Sequence, residues 1–65
     1  MDREQKIAFI QAMTISALAE IEGMKAANLE RINQGYALAY DEKSFMEVPV
    51  KFGITHNHVI EFFQD

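Results

Sequence analysis

The sequence predicts an all-α fold: one long amino-terminal helix followed by two short helices. Three observations carry that expectation. Apolar residues recur at helical spacing through the first half, strong helix formers dominate there without proline, and polar caps and glycines punctuate the chain where helices would begin and end. The chain has 65 residues, enough for one small domain spanning 1–65. Its 49% hydrophobic and 25% charged residues are an ordinary globular balance and argue against disorder.

The first helix is expected over about residues 3–33. Ile7, Ile10, Met13, Ala17, Leu18, Ile21, Met24, Leu29, Ile32 and Tyr36 follow one another mostly at steps of three and four. Asp2 suits the N-cap, with Glu4 in the first turn, where negative charge is favoured. Arg31 in the last turn and Asn33-Gln34-Gly35 mark the stop, with Gly35 offering a left-handed cap. Gly23 is the weak point: glycine costs about 1 kcal/mol relative to alanine inside a helix, so a kink or a close packing contact is expected there.

Two readings fit residues 36–50. Asp41 or Ser44 can open a helix of about 42–52, Ser44-Phe45-Met46-Glu47 having the form of a capping box, with Pro49 kinking or ending it and Gly53 stopping it. Alternatively, Tyr36–Tyr40 and Phe45–Val50 pair as a hairpin around Asp41-Glu42-Lys43. Ala37 and Ala39 are poor strand formers, which favours the helix. Thr55 then caps a last helix of about 55–64, whose apolar face is Val59, Ile60, Phe62 and Phe63.

The first helix carries more apolar surface than so short a chain can cover. Residues 7–19 are uncharged, and Ala8, Phe9, Ala12, Ile15 and Ala19 lie off the main stripe. A helix apolar on several faces is usually buried on several faces. Thirty helical residues run about 45 Å, against roughly 28 Å for the diameter of a compact domain of this size. Either the helix breaks near Gly23 or something else covers the excess, and self-association into a homodimer is the favoured reading. Ile7, Ile10, Met13, Leu18, Ile21 and Met24 are the candidate self-association residues.

The segment Val48-Pro49-Val50-Lys51-Phe52-Gly53-Ile54-Thr55-His56-Asn57-His58-Val59 resembles the core of a helix-turn-helix, within residues 44–63. The resemblance implies a corner at Gly53 locked by Phe52, Ile54, Val59 and Phe62, and a dimeric nucleic-acid-binding regulator. The sequence departs from that pattern in two ways. Pro49 stands four residues before the turn glycine, where the family usually has alanine. Residues 55–63 also contain no Lys or Arg, although cations supply most of such a protein's affinity for phosphates.

Charge points the same way. The net charge is −4, with four basic against five acidic side chains in residues 1–34 and two against five in residues 35–65. Such a surface repels phosphate backbones and anionic lipids. No cysteine is present for disulfides or thiolate ligands. His56 and His58 are two apart, so on a helix they point away from each other and cannot easily share an ion; one fits the first turn and the other solvent. Ser16, Ser44, Thr14 and Thr55 lack a glycine-framed elbow, Gly23, Gly35 and Gly53 form no phosphate loop, and Glu20 and Glu22 read as a solvated edge. No catalytic, cofactor or metal site is expected.

Phe62 and Phe63 are adjacent, so one is expected to leave the core, and with His56 and Glu61 they form the candidate partner-binding residues. The leading expectation is a non-enzymatic protein that binds and modulates another protein, with a structural oligomerisation module as a further alternative. In size, acidity and lack of cysteine the chain is similar to small accessory proteins of tailed bacteriophages. That likeness implies a regulatory or inhibitory role in the host cytoplasm. A cytoplasmic location is expected in any case, because the mixed-sign start is a poor signal peptide and no uncharged run approaches a bilayer's thickness.

Overall fold

In the computed structural model, which describes residues 1–64, the fold is all-helical: α1 Arg3–Asn33, α2 Glu42–Lys51 and α3 His56–Phe63. The long helix forms as its sequence predicts. The Asp2 side chain accepts from the Gln5 backbone N–H at 2.8 Å, and the Gln5 side chain accepts from the Asp2 N–H at 3.1 Å, a reciprocal capping box. At the other end, Gly35 takes φ +78°, with Gly35 N donating to Ile32 O and Tyr36 N to Arg31 O. That is the double bond of a Schellman stop, and glycine adopts its left-handed angle without steric cost. Gly23 does not break the element: α1 is one helix of 31 residues. Space for a side chain is open at Gly23, so close packing does not explain the glycine either.

Residues 42–51 are helical, and no strand occurs among the described residues, so the hairpin alternative does not form. Asp41 rather than Ser44 is the N-cap of α2: its carboxylate accepts from the Ser44 backbone N–H and the Ser44 hydroxyl, both at 2.9 Å. Those two bonds hold the Asp41 carboxyl below its ordinary pKa. Pro49 lies inside α2 without ending it. The helix stops at Gly53, φ +67°, where Gly53 N donates to Val50 O and Ile54 N to Pro49 O, a second Schellman turn. Thr55 caps α3, as its sequence indicates.

The chain turns back at Gly35, and α2 and then α3 lie in succession along one face of α1. Asn28 packs by Tyr40, Glu20 by Lys51 and Phe9 by Phe62, so the return runs antiparallel to α1 from its carboxyl end toward its amino end. Among the described residues α2 and α3 make no close contact with each other; each rests on α1. Phe52 and Ile54 pack on the core of Ala17, Met24 and Val48, together with Ile21 and Phe45. The result is a thin two-layer rod, 50 × 18 × 10 Å, with a radius of gyration of 15.1 Å, against about 11 Å for a compact chain of this length.

One polar clasp fixes the turn. The Asn28 side chain donates to Tyr40 O and accepts from Tyr40 N, both at 2.9 Å. Asn28→Ala removes both bonds, and the expected result is a loss of about 1–2 kcal/mol in urea unfolding with faster exchange of the Tyr40 amide. Gly23→Ala should raise stability by about 1 kcal/mol, since nothing opposes a methyl group there and alanine favours the helix. Gly53→Ala should lower it by about 1–2 kcal/mol, because φ +67° strains an L side chain. Because folding lowers the Asp41 pKa, the cap's contribution is fully present above the ordinary aspartate value and fades as pH falls through the lowered one. Ser44→Ala should move the Asp41 NMR titration midpoint upward.

Candidate interaction surface

The inner stripe of α1 is occupied by the chain's own tail. Ala17 and Met24 are buried, while Ile10, Met13 and Ile21 are half-buried on the same face. Four of the candidate self-association residues, Ile10, Met13, Ile21 and Met24, thus serve the intramolecular contact. An apolar stripe specifies a direction of burial, not whose side chains fill it. Ile7 and Leu18 lie outside that face, 39% and 56% exposed.

What remains uncovered is extensive. Ile15, Leu18, Leu29, Ile32, Tyr36, Leu38, Met46 and Val50 are each more than half exposed. Of the α1 residues read from the sequence as off the main stripe, Phe9 meets Phe62 of α3, whereas Ala8, Ala12, Ile15 and Ala19 are all solvent-facing, and Ala26 and Leu29 extend their line. Every one of these solvent-facing residues turns away from α2 and α3. This face follows the helical period as faithfully as the buried one, and that second period was the signal for it in the sequence.

At the amino-terminal end of the rod the aromatic residues gather. The Phe62 ring stands 5.4 Å from Phe9 and 5.7 Å from Phe63, and the Lys6 ammonium lies 5.7 Å from the Phe62 centroid, within cation–π range. Both Phe62 and Phe63 are half-buried, so neither simply projects into solvent. Residues 100° apart on α3 can straddle α1: Phe62 meets Phe9, and Phe63 lines an open groove of about 490 Å³ with Met1, Asp2, Arg3, Lys6 and Ile7. His56 and Glu61 are exposed. The His58 ring Nδ1 lies 2.6 Å from the Thr55 hydroxyl, which also accepts from the His58 backbone N–H at 3.4 Å. No group of three metal-ligating side chains occurs among the described residues.

Glu20 and Glu22 do different things. Glu22 is exposed and pairs with Lys25 at 3.1 Å within α1. Glu20 is not a solvated edge: it is half-buried and bonds Lys51 of α2 at 2.6 Å, while its second oxygen, Oε2, is buried without a partner. The pair crosses the interface between α1 and α2 beside Met24 and Val48 and orients α2. Asn28 and Glu20 are the positioning residues that sequence reasoning missed. The only available hint was an asparagine inside a helix, a residue whose side chain commonly bonds backbone.

By length and composition α1 contains an 18-residue window apolar enough to cross a bilayer, with mean hydropathy 1.3 and little of it buried. Its uncharged part, residues 7–19, spans about 20 Å of helix, short of the roughly 30 Å of a hydrocarbon core. No family model, curated protein or solved structure matches this chain.

The aromatic end yields a stability test. Phe62→Ala removes the ring that joins α3 to Phe9, and a loss of roughly 2 kcal/mol is expected in urea unfolding. His56→Ala and Glu61→Ala, on exposed positions, should stay within about 0.5 kcal/mol of the parent.

Proposed function

We propose that this chain is a non-enzymatic accessory protein that acts by binding another protein and modulating it. The observation that carries this reading is the amount of large apolar side chain left on the surface. Ile15, Met46, Tyr36 and Leu29 are 60–68% exposed, while among the described residues the buried hydrophobic ones are only Ala17, Met24 and Val48. Contiguous exposed apolar surface marks interaction sites on stable proteins. The aromatic end supplies a point of purchase: Phe63 in an open groove with Ile7 and Arg3, aromatic and arginine side chains being enriched at protein interfaces. A small acidic regulator or inhibitor working in the cytoplasm, of the kind tailed bacteriophages encode, fits this arrangement.

Immobilised full-length chain should retain a specific protein from a lysate of its native cell. Phe63→Asp should abolish that retention while the circular-dichroism helix signal is kept. Retention that Phe63→Asp leaves unchanged would remove the aromatic end from the proposal. Salt-sensitive binding to heparin or duplex DNA, with nothing specific captured, would overturn it in favour of a nucleic-acid regulator.

A further inference from the structure

The face of α1 opposite α2 and α3 is a complete seam in its own right. Ala8, Ala12, Ile15, Ala19, Ala26 and Leu29, with Glu22 between Ala19 and Ala26, follow one another at alternating steps of four and three, the seven-residue repeat with which paired helices meet. The whole line is solvent-facing, and Ile15 at its centre is 68% exposed. Alanines at most of its positions allow a second helix to approach at the short end of the 8–10 Å range of interaxial distances.

The exposed area is large enough for a stable pairing. The chain exposes 5117 Å². A compact monomer of 7.5 kDa exposes about 4,250 Å². The excess, roughly 870 Å², is about what one partner contributes to a standard stable interface, close to 800 Å². We propose that a second copy of this chain covers this face, the two α1 helices running antiparallel and overlapping along most of their length, with α2 and α3 of each copy on the outside.

Charge and size set the direction. In a parallel, in-register pair Glu22 would meet Glu22 of the second copy within the seam, whereas Glu4 and Glu30, at the ends of the overlap, meet a carboxylate in either direction and do not decide it. Antiparallel helices centred on Ala17 hold the two Glu22 side chains about 15 Å apart, beyond the ~10 Å screening length at 0.1 M salt. Lys25, already 3.1 Å from Glu22, draws that carboxylate toward the flank. This register sets Ile15 against Ala19 of the other copy and Ala8 against Ala26, large beside small and small beside small. It also sets the two helix dipoles antiparallel side by side, the favourable sense for lateral neighbours.

Ile15 and Leu29 count among the exposed residues on which the proposed function also draws, but the groove at Phe63 that the capture experiment probes is a separate surface, so the two outcomes are distinguishable. Sedimentation equilibrium of the full chain should give twice the 7.5 kDa of one copy. Ile15→Glu, on a side chain outside the intramolecular core, should weaken association more than about tenfold while helix content is retained, since it buries a further charge in the seam. The chain has no cysteine, so engineered thiols report geometry cleanly. Ala8→Cys mixed with Ala26→Cys should yield a disulfide-linked heterodimer, whereas Ala26→Cys alone should not crosslink, its own copy lying about 27 Å away along the axis. A monomer at millimolar concentration, a dimer indifferent to Ile15→Glu, or ready self-crosslinking of Ala26→Cys would each overturn the proposal. So would a monomer that floats with phosphatidylcholine–phosphatidylglycerol vesicles, which would assign the seam to lipid.

Discussion

Everything in this molecule follows from a mismatch of lengths. The 31-residue helix extends about 46 Å, and the return strand of chain offers only 18 helical residues with which to flank it. Eighteen residues can line one side of such a rod but cannot wrap it. Because the return is split at Gly53 into two pieces that lie end to end rather than side by side, it reaches nearly the full length of α1 at the expense of thickness. Length was covered and circumference was not, which leaves a slender hydrophobic interior and an apolar exterior.

So thin a core places unusual weight on directional contacts. Ala17, Met24 and Val48 alone cannot fix how α2 sits along α1, since apolar packing is largely indifferent to small slides. The Asn28 amide, bonded to both backbone groups of Tyr40, and the Glu20–Lys51 pair define that position. An exposed ion pair contributes little to stability, but Glu20 is half-sheltered with one oxygen wholly enclosed, so displacing Lys51 would leave a poorly solvated carboxylate. The register of the hairpin is thus penalised against error as well as rewarded for fit.

Local structure was legible in the sequence to a large degree, and for identifiable reasons. Asp2, Gly35, Gly53 and Thr55 each sit where an unsatisfied helix end requires them, and their chemistry acts over five residues or fewer. Asp41 and Ser44 were ambiguous because either can cap; the structure uses both, the serine as donor to the aspartate. Tertiary assignment was harder. The stripe through Ile10, Met13, Ile21 and Met24 announces burial without naming the cover, and the chain's own tail turned out to supply it. The likeness of residues 44–63 to a helix-turn-helix rests on the glycine turn. That turn forms, and Phe52 and Ile54 beside it pack on the core that α1 and α2 share, Ala17, Met24 and Val48. A turn motif fixes local backbone angles; what its flanking helices pack against is decided elsewhere. Of the aromatic end, the adjacency of Phe62 and Phe63 was legible, whereas their straddling of α1 depends on Phe9, more than fifty positions away.

The three clasps along the hairpin are nested. Asn28 to Tyr40, Glu20 to Lys51 and Phe9 to Phe62 each enclose the one before, so each closes a loop that its predecessor has already shortened. Closing them in order from the Gly35 bend toward the free ends would therefore spread the chain-closure entropy over small increments rather than one large step. The same order read backwards makes the tail helix the first part to peel away, baring the phenylalanines while the asparagine knot still holds.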